Sequence, residues 1–480
     1  MIKGKTPLVV DLDGTLTPTD TLLESVIKLV KQSPSNLVRL ALLLLQGKTA
    51  FKRYVAVNSN ISPESLIYHE AFLDYLRSQR EGGRRLILAT ASHKTVAEGV
   101  SRHLGIFDDV IATDSINLKG KMKLDAINKL INEAFVYAGD SATDIQIWKF
   151  AKAAVLVNTS NSTSRIVRQL RPIEAEFPRN PIRLLTWAKA LRVHQWLKNL
   201  LLFVPLLTAF AFLDSEKLIN SLIAFMAFSL AASATYILND LGDLESDRTH
   251  PRKKFRPLAR AEISIMSALI VSMSCLFSGL TMAWIVSDQF FLMLILYLFV
   301  TSSYSWGLKE YVLIDVIILS LLYTLRILAG SVAIGVTTST WLLAFSVFLF
   351  LSLALIKRCS ELVSLKISGG VDTSGRDYRV SDLAILWPLG IATAISSVVV
   401  FGLFISSPET AIRYATPEAL WLVALGLVYW LSHLWIKTVR GEMHDDPIVY
   451  TINDRGSWIV LLFMAATMIA AHYFEVVAIL

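Results

Sequence analysis

The feature that most constrains the fold is a series of long apolar segments, which begins near residue 197 and continues to the end of the chain. A helix needs about 20 predominantly apolar residues to cross a bilayer. Nine segments meet or approach this length, near residues 197–213, 217–238, 263–284, 288–306, 311–334, 339–356, 383–406, 415–436 and 457–479. The C-terminal part is therefore predicted to be an all-α polytopic membrane domain of about nine transmembrane helices.

The basic residues occupy alternate loops between these segments. They follow the second, fourth, sixth and eighth segments, as Arg248, Arg252, Lys253, Lys254, Arg256 and Arg260, then Lys309, then Lys357, Arg358, Lys366, Arg376 and Arg379, then Lys437, Arg440 and Arg455. Loops enriched in Lys and Arg face the cytoplasm. This pattern predicts a cytoplasmic N-terminal part and an external C-terminus. It also explains most of the net charge of +7 without a nucleic-acid partner.

Two further features exclude other classes of protein. The chain has only two cysteines, which gives no disulfide framework. The apolar run near the N-terminus is too short for a signal peptide.

The N-terminal part has the pattern of a soluble α/β domain. TPLVVDLDGT (6–15), RRLILATAS (84–92) and AFVYAGDSATD (134–144) are predicted buried strands that end in carboxylates or hydroxyls. Helical patterns separate them, which favours a parallel sheet with its ligand site at the carboxyl ends of the strands.

Together DLDGT, ATAS, Lys123 and GDSATD resemble the haloacid dehalogenase (HAD) superfamily of phosphotransferases, over about residues 5–158. The resemblance implies a Rossmann-like fold with Asp11 as the nucleophile and Asp13 as the acid/base. Thr90 would bind the phosphoryl group, although Ser92 is an alternative, and Lys123 would offset charge. Asp11, the Asp13 backbone carbonyl and Asp140, supported by Asp144, would hold Mg²⁺, a cation that prefers oxygen ligands.

We expect a HAD domain at 1–157 with a small helical cap at about 18–80, a polar linker at 158–182, and the membrane domain at 183–480. The apolar helix LVRLALLLLQ of the cap fits either core packing or contact with membrane or lipid. A head that is catalytically inactive and regulatory is the alternative to a phosphatase.

Four polar groups recur at spacings of three and four where the second segment ends: Asn239, Asp240, Asp243 and Asp247. On a helix this spacing places them on one face. Carboxylates placed this close together repel one another unless a cation lies between them. Mg²⁺ bound to a diphosphate is the expected cation. His250, Lys253 and Arg256 follow as anion-binding groups. A solvated basic loop explains the cations but not the regular acids.

NDxxDxxxD after a second span resembles the UbiA superfamily of intramembrane prenyltransferases, over about residues 183–480. Its members usually carry two acidic motifs and transfer a prenyl group to an aromatic acceptor. Here the second region, YSWGLK followed by a span, contains Asp315 and Arg326 but no acidic cluster. Ionisable residues inside a membrane are functional candidates by default, although an ion pair between these two residues is an equally good interpretation.

The details resemble one branch of that superfamily, decaprenyl-phosphate phosphoribosyltransferase. The resemblance rests on RVHQWLKN, NDLGDLESDRTHPRKKFRP, YSWGLK, LRILAG, IKRCSEL, GRDY and DDPIVYTINDRGS. It implies that Asn239, Asp240, Asp243 and Asp247 bind one or two Mg²⁺ ions and the pyrophosphate of phosphoribosyl pyrophosphate, with the three acids in the catalytic group. The implied substrate-binding residues are Arg192, His194, Lys198, Asn199, His250, Lys253, Arg256, Tyr304, Lys309, Asp315, Arg326, Lys357, Arg358, Glu361, Arg376 and Tyr378.

The fusion predicts a bifunctional enzyme of the bacterial inner membrane. The membrane domain would transfer 5-phosphoribose to a polyprenyl phosphate, and the head would remove the 5-phosphate. Two alternatives stay open: an aromatic prenyltransferase with a phosphatase of unrelated substrate, and a lipid-binding anchor that holds a phosphatase at the bilayer. A homo-oligomer is left open as well.

Overall fold

The computed structural model describes residues 6–114, 117–179, 181–371, 376–443 and 446–475. It divides into two compact units. We call them the head unit (Met1–Arg192 with Tyr236–Met273) and the span unit (Val193–Thr235 with Ser274–Leu480). Gly375 of GRDY, Asp445 of DDPIVY and the end of the ninth predicted segment lie outside the described residues.

The head unit is built on one parallel sheet of six strands in the order β3-β2-β1-β4-β5-β6. The strands are β1 (Leu8–Val10), β2 (Leu86–His93), β3 (Asp109–Thr113), β4 (Val136–Gly139), β5 (Ala153–Val157) and β6 (Ile173–Phe177). Alternate residues of β1 enter different cores, because Leu8 and Val10 pack on one face and Val9 on the other. Apolar residues on both faces are what a parallel sheet covered by helices requires, and they confirm the predicted α/β class.

Among the described residues, nine α-helices complete the N-terminal part of this unit. They are α1 (Thr21–Gln32), α2 (Asn36–Gln46), α3 (Lys48–Ser59), α4 (Glu70–Glu81), α5 (Lys94–Leu104), α6 (Lys121–Leu130), α7 (Ile145–Trp148), α8 (Asn161–Leu170) and α9 (Leu184–Ala190). The first three form a small cap with its own core of Leu29, Leu40 and Val55. The expected cap ran to residue 80, but α4 buries Phe72 and Leu76 in the core of the sheet.

The segment 158–182, expected to be a linker, is part of the sheet instead. It forms α8 and β6, and β6 pairs in parallel with β5. In the sequence IEAEF, Ile173, Ala175 and Phe177 are half-buried while the two glutamates between them are exposed. This alternation is typical of an edge strand. The strand is hard to recognise in the sequence because polar residues flank it.

The acidic stretch, residues 239–247 with Asn239, Asp240, Asp243 and Asp247, also belongs to the head unit. The long helix α11 (Ser215–Gly242) enters it at Tyr236, α12 (Leu244–Thr249) follows, and α13 (Ile265–Val286) leaves it at Met273. Leu241 and Leu244 belong to a core against which Leu23 and Ile27 of α1 pack. The cap of the sheet domain and the acidic stretch therefore share buried apolar contacts.

The span unit is helical. Besides the rest of α11 and α13, it contains α10 (Val204–Thr208), α14 (Asp288–Trp306), α15 (Ile314–Ala333), α16 (Thr340–Ile367), α17 (Leu383–Ile405), α18 (Pro408–Arg413), α19 (Leu420–Val439), α20 (Pro447–Asn453) and α21 (Arg455–Tyr473). Among the described residues, eight helices are long and apolar enough to cross a membrane: α11, α13, α14, α15, α16, α17, α19 and α21.

The first predicted transmembrane segment, at 197–213, is wrong as a single α-helix. Residues Val193–Phe203 form a 3₁₀-helix, and the α-helix that follows, α10, has Pro205 in its first turn and five residues in all. Side chains three residues apart eclipse one another on a 3₁₀-helix. Trp196 and Asn199 accordingly meet one side of α11, where each donates a hydrogen bond of 3.0 Å, to Ser233 and Ser229 respectively.

A glycine allows this 3₁₀-helix to lie close to α15. A Cβ atom at Gly330 would overlap the carbonyl group of Leu202. The close approach places the 3₁₀-helix beside the middle of α15, where Arg326 lies.

Candidate active sites

The first candidate site lies at the carboxyl ends of the central strands of the head unit. Asp11 follows β1, and Asp140 and Asp144 follow β4, two strands that are neighbours in the sheet. Each of these carboxylates offers an oxygen, and the three oxygens lie within 4.8 Å of one another. Three converging carboxylates fit a hard divalent cation such as Mg²⁺.

One lysine offsets part of the negative charge of this group. Lys123 is buried on α6, with its Nζ 2.8 Å from Asp11 Oδ1 and within hydrogen-bond distance of the Tyr137 hydroxyl, which donates to Asp144. Burial raises the pKa of Asp11 to about 6 although Lys123 lowers it. Burial and the charges of Asp144 and Asp11 raise the pKa of Asp140 to about 8. One lysine does not neutralise three carboxylates, so the site favours a further cation.

Asp13 is not one of the three clustered carboxylates. Its side chain accepts hydrogen bonds from the Thr21 N–H at 2.7 Å and from the Ser92 hydroxyl. Burial raises its pKa, which suits a carboxyl that holds and releases a proton. Thr90 is fully buried and accepts from the Ser92 N–H at 3.0 Å, whereas Ser92 lines the cavity in front of Asp13.

A cavity of about 420 Å³ opens over these residues and is lined in part by the cap. Lys52 of α3 reaches it and donates to the Ala91 carbonyl and to Asn117, each at 2.8 Å. His93 lines it as well, and burial lowers its pKa. Sequence analysis missed both residues. A lone basic residue on a helix carries no motif, and only its place in the cap would have suggested Lys52.

The acidic stretch forms a second candidate site in the head unit. Helix α11 ends at Gly242 and α12 begins at Leu244, so the four polar groups are not on one continuous helix, as the spacing had predicted. The N–H groups of Asp243 and Asp247 still donate to the carbonyls four residues earlier, which preserves the helical spacing across the break.

Arginines surround the acids of this stretch. Asp240 pairs with Arg192 and, at 3.1 Å, with Arg256, which also contacts Asp247 at 2.5 Å. Among the described residues, the buried Asp247 Oδ1 has no hydrogen-bond partner, and the Lys253 Nζ is 3.9 Å away. A buried carboxylate oxygen without a partner fits a divalent cation. His250 accepts from the N–H groups of Arg252 and Lys253, so it holds the basic turn in shape.

The acidic stretch also contacts the cap formed by α1–α3. Lys31 of α1 pairs with Asp243, and Lys28 lies 2.7 Å from Glu245. Arg248 and Glu24 form a pair at 2.6 Å in which both side chains are only 8% exposed. These contacts tie α1 to the segment that carries the acids.

In the span unit, one network joins six predicted residues. Asp315 is fully buried and contacts Arg358 at 2.6 Å, while Tyr378 donates to its second oxygen at 2.6 Å. The remaining members are Glu361, which pairs with Arg358 and lies 3.6 Å from Arg376, and Tyr304, which is hydrogen-bonded to Arg376. The suggested pair of Asp315 with Arg326 is therefore wrong. Arg358 on α16 takes that place.

Arg326 has neutral partners instead. It is 5% exposed and donates to Asn199, to the Leu322 carbonyl and to the Tyr297 hydroxyl. Within the described residues, no carboxylate lies within 4.0 Å of this guanidinium. A buried cation without a carboxylate favours an anionic ligand.

Two predicted lysines of the span unit share a carboxylate that sequence analysis missed. Lys357 and Lys198 lie 3.1 and 3.5 Å from Asp446, whose pKa they lower against the effect of burial. Asp446 also caps α20. The sequence motif DDPIVY contains Asp446, but nothing in its spacing indicates that this carboxylate pairs with lysines far away in the chain. His194 lies in the 3₁₀-helix, and Lys309 is half-buried in the turn between α14 and α15.

Comparisons with known proteins match both parts of the chain. Residues 201–466 match the UbiA prenyltransferase family, and residues 8–149 match the haloacid dehalogenase-like hydrolases. An uncharacterized protein of Sinorhizobium fredii, y4nM, is 38% identical over 97% of this chain and 91% of its own length.

Two other relatives match over a smaller share of the chain. Nodulation protein NoeC of Azorhizobium caulinodans is 33% identical over 61% of this chain and 95% of its own length. The decaprenyl-phosphate phosphoribosyltransferase of Mycolicibacterium smegmatis is 30% identical over 60% of this chain and 92% of its own length. Both matched families are typically Mg²⁺-dependent. The chain is an integral membrane enzyme that belongs to the UbiA prenyltransferase family and carries a HAD-type hydrolase domain fused to it.

Proposed function

We propose that the chain makes a lipid-linked ribose in two steps. The UbiA domain transfers 5-phosphoribose from phosphoribosyl pyrophosphate to a polyprenyl phosphate, and the HAD domain removes the 5-phosphate. The first product carries a phosphomonoester, which is the substrate class of a HAD phosphatase. The presence of both domains in one chain supports this order of reactions.

The contacts of Asp315 favour phosphoribosyl transfer over aromatic prenyl transfer. An aromatic prenyltransferase of this family is expected to use a second acidic motif for metal binding. Here both oxygens of the acid in the second region are engaged, one by Arg358 and the other by Tyr378. The 30% identity to a decaprenyl-phosphate phosphoribosyltransferase supports the same choice.

In the transfer step, the acidic stretch would bind the diphosphate end of the donor. Asn239, Asp240, Asp243 and Asp247 would hold Mg²⁺, which would supply positive charge to the departing diphosphate. Arg192 and Arg256 add positive charge beside Asp240. An oxygen of the lipid phosphate attacks C1 of the ribose, and the diphosphate leaves with the bonding electron pair. In the span unit, Arg326 and the Lys198–Lys357 pair offer positive charge to phosphate groups.

In the hydrolytic step, an oxygen of Asp11 attacks the phosphorus and the bond to the ribose oxygen breaks. Asp13 gives its proton to that oxygen, for which its raised pKa suits it. Lys123, 2.8 Å from Asp11, offsets negative charge. Asp13 then accepts a proton from the water that attacks the phosphoaspartate, and this releases phosphate and restores Asp11. Mg²⁺ held by Asp11, Asp140 and Asp144 would neutralise the phosphoryl oxygens.

The test follows ribose label from phosphoribosyl pyrophosphate into an organic extract, with Mg²⁺, polyprenyl phosphate and the full chain in detergent. We expect labelled lipid that carries ribose without a 5-phosphate. Asp11→Asn should accumulate the 5-phosphorylated lipid, whereas Asp240→Asn should form no labelled lipid and still hydrolyse p-nitrophenyl phosphate. Asp125→Asn, at an exposed position of α6, is the matched control.

Two outcomes would refute the proposal. No labelled lipid from a preparation that hydrolyses p-nitrophenyl phosphate, together with prenyl transfer to 4-hydroxybenzoate, would assign the chain to aromatic prenylation. Unchanged products in both Asp11→Asn and Asp240→Asn would show that the reactions occur elsewhere in the chain.

A further inference from the structure

Helix α2 of the cap exposes large apolar side chains over about half of its circumference. Leu37, Val38, Leu42, Leu44 and Leu45 are 54–85% exposed, and within this helix only Leu40 is buried. Soluble proteins rarely display so many large apolar side chains together without a partner. The phosphatase cavity does not use them, since α1 and α3 supply its lining from the cap.

The charge around this helix has one sign. Residues 25–63 contain six basic residues and no Asp or Glu: Lys28, Lys31, Arg39, Lys48, Lys52 and Arg53. Three of the six already have partners, because Lys28 and Lys31 pair with acids of the following segment and Lys52 is held over the cavity. Arg39 lies over the ring of Tyr54 at 4.7 Å and is exposed on α2 itself, and Arg53 is exposed on α3.

We propose that α2 lies in the headgroup region of an anionic bilayer and holds the phosphatase cap at the membrane surface. An 11-residue helix is only about 16 Å long, so it cannot cross a hydrocarbon core of about 30 Å. Apolar residues combined with Arg and Lys, and no acids, are typical of helices that lie in the interface. The chain is itself an integral membrane protein, and eight helices among its described residues are long and apolar enough to span a bilayer.

This arrangement would affect which substrates the phosphatase meets. Helix α3 follows α2 directly and contributes Lys52, Val55 and Ala56 to the wall of the cavity. A cap held at the surface would place that wall beside lipid-linked phosphomonoesters. This last consequence rests on the function proposed above, whereas the position of α2 does not.

The test measures contact between α2 and lipid in the full chain. Cys275 and Cys359 are replaced by alanine, and a single cysteine is introduced as Leu45→Cys, or as Asn128→Cys on the exposed side of α6 for the control. Each is labelled with NBD and reconstituted in nanodiscs of equal parts phosphatidylcholine and phosphatidylglycerol. Lipids with a doxyl group near the glycerol end of the acyl chain then report proximity to the bilayer by quenching.

We expect blue-shifted emission and several-fold stronger doxyl quenching at position 45 than at position 128. The quenching at position 45 should weaken in nanodiscs of phosphatidylcholine alone, since the basic residues then lose their anionic partner. Val38→Cys, at a second exposed position of α2, provides an independent labelling site if Leu45→Cys does not fold.

Two results would overturn the proposal. Water-like emission without quenching at position 45 would show that α2 faces solvent. A blue shift without doxyl quenching would show that protein covers the helix, with a second copy of the chain as the occupant. Neither result depends on turnover, so the position of α2 and the proposed reactions can fail separately.

Discussion

Arg326 is a residue whose chemistry can be tested by a conservative exchange. Its guanidinium makes three hydrogen bonds, to Asn199, Leu322 and Tyr297, at 2.6–2.9 Å. Lysine keeps the charge but cannot reproduce this planar fork. A phosphate group bound by this fork would lose a hydrogen bond to a charged group, which contributes about 1.5–3 kcal/mol, so Arg326→Lys should lower kcat/KM for transfer roughly ten- to hundredfold.

The measurement is transfer of labelled ribose at several lipid concentrations, with hydrolysis of p-nitrophenyl phosphate as the internal reference. Arg77→Lys, in an exposed ion pair on α4, is the control and should leave both activities unchanged. Normal transfer by Arg326→Lys would show that the guanidinium fork has only a structural role.

The carboxylates of the phosphatase site predict how pH affects its need for metal. The pKa is about 6 for Asp11 and about 8 for Asp140, and both are raised, so the folded metal-free site binds more protons than the unfolded chain. The metal-free head should therefore lose stability as pH rises through these values. Protons should also compete with Mg²⁺ for the site.

We expect the Mg²⁺ concentration for half-maximal hydrolysis of p-nitrophenyl phosphate to fall as pH rises from about 6 to about 8. The fall should be about tenfold per pH unit for each proton that the ion displaces. Removal of the ion with EDTA should abolish hydrolysis. A requirement for Mg²⁺ that is constant over this range would contradict the raised pKa values.

At the same scale, the chemistry-bearing acids could be predicted because they stand in short motifs. Asp11, Asp140 and Asp144 were named from DLDGT and GDSATD, and the structure brings their oxygens together. Their catalytic roles stay predictions. Asp446 and Lys52 could not be named in this way. Their partners, Lys357 and Asn117, are far along the chain, and only tertiary structure shows such pairs.

At the scale of secondary-structure elements, α1 and α12 form a contact that no sequence motif indicated. Glu24 and Arg248 are both nearly buried, and Arg248 also donates to the carbonyls of Ser65 and Ala259. Removal of one partner from a buried ion pair costs about 3–5 kcal/mol, because the other charge remains without compensation. Glu24→Gln should therefore destabilise the head unit by up to that amount.

The pair of Lys28 with Glu245 on the same two helices is the matched control. It is more exposed, at 27% and 47%, and exposed pairs contribute about 0–1 kcal/mol. Thermal unfolding of the detergent-solubilised chain should give a clearly lower midpoint for Glu24→Gln than for Lys28→Gln. Equal midpoints would mean that solvent screens the Glu24 pair.

Element boundaries were the part of the fold that the sequence predicted least well. The long apolar helices needed only composition and length, and eight were found where they were expected. The 3₁₀-helix at Val193–Phe203 was not predicted, because its apolar residues also fit an α-helix. Only its contacts with α11 and α15 show which kind of helix it forms. Strand β6 was missed because glutamates alternate with its apolar residues.

For the whole molecule, the charge pattern predicts sidedness. We propose that the head and the basic loop after α11 are cytoplasmic, so residues 193–208 must also cross the bilayer. The 3₁₀-helix has 11 residues and α10 has five. At about 2.0 and 1.5 Å per residue they extend about 30 Å, which matches the hydrocarbon core.

Labelling with an impermeant maleimide in spheroplasts tests this topology in the chain without Cys275 and Cys359. Glu216→Cys, at an exposed position in the first turn of α11, should react from outside. Lys254→Cys, in the basic loop, should react only after permeabilisation, as should Asn128→Cys in the head. If Glu216→Cys and Asn128→Cys react from the same side, residues 193–208 do not cross.

The buried contact between Glu24 and Arg248 also has a consequence for the order of assembly. N-terminal domains generally fold first during synthesis. The sheet and its cap, up to β6, leave the ribosome before Arg248 does. We therefore expect the acidic stretch to emerge after the cap has folded, so that Glu24 is already in place to pair with Arg248.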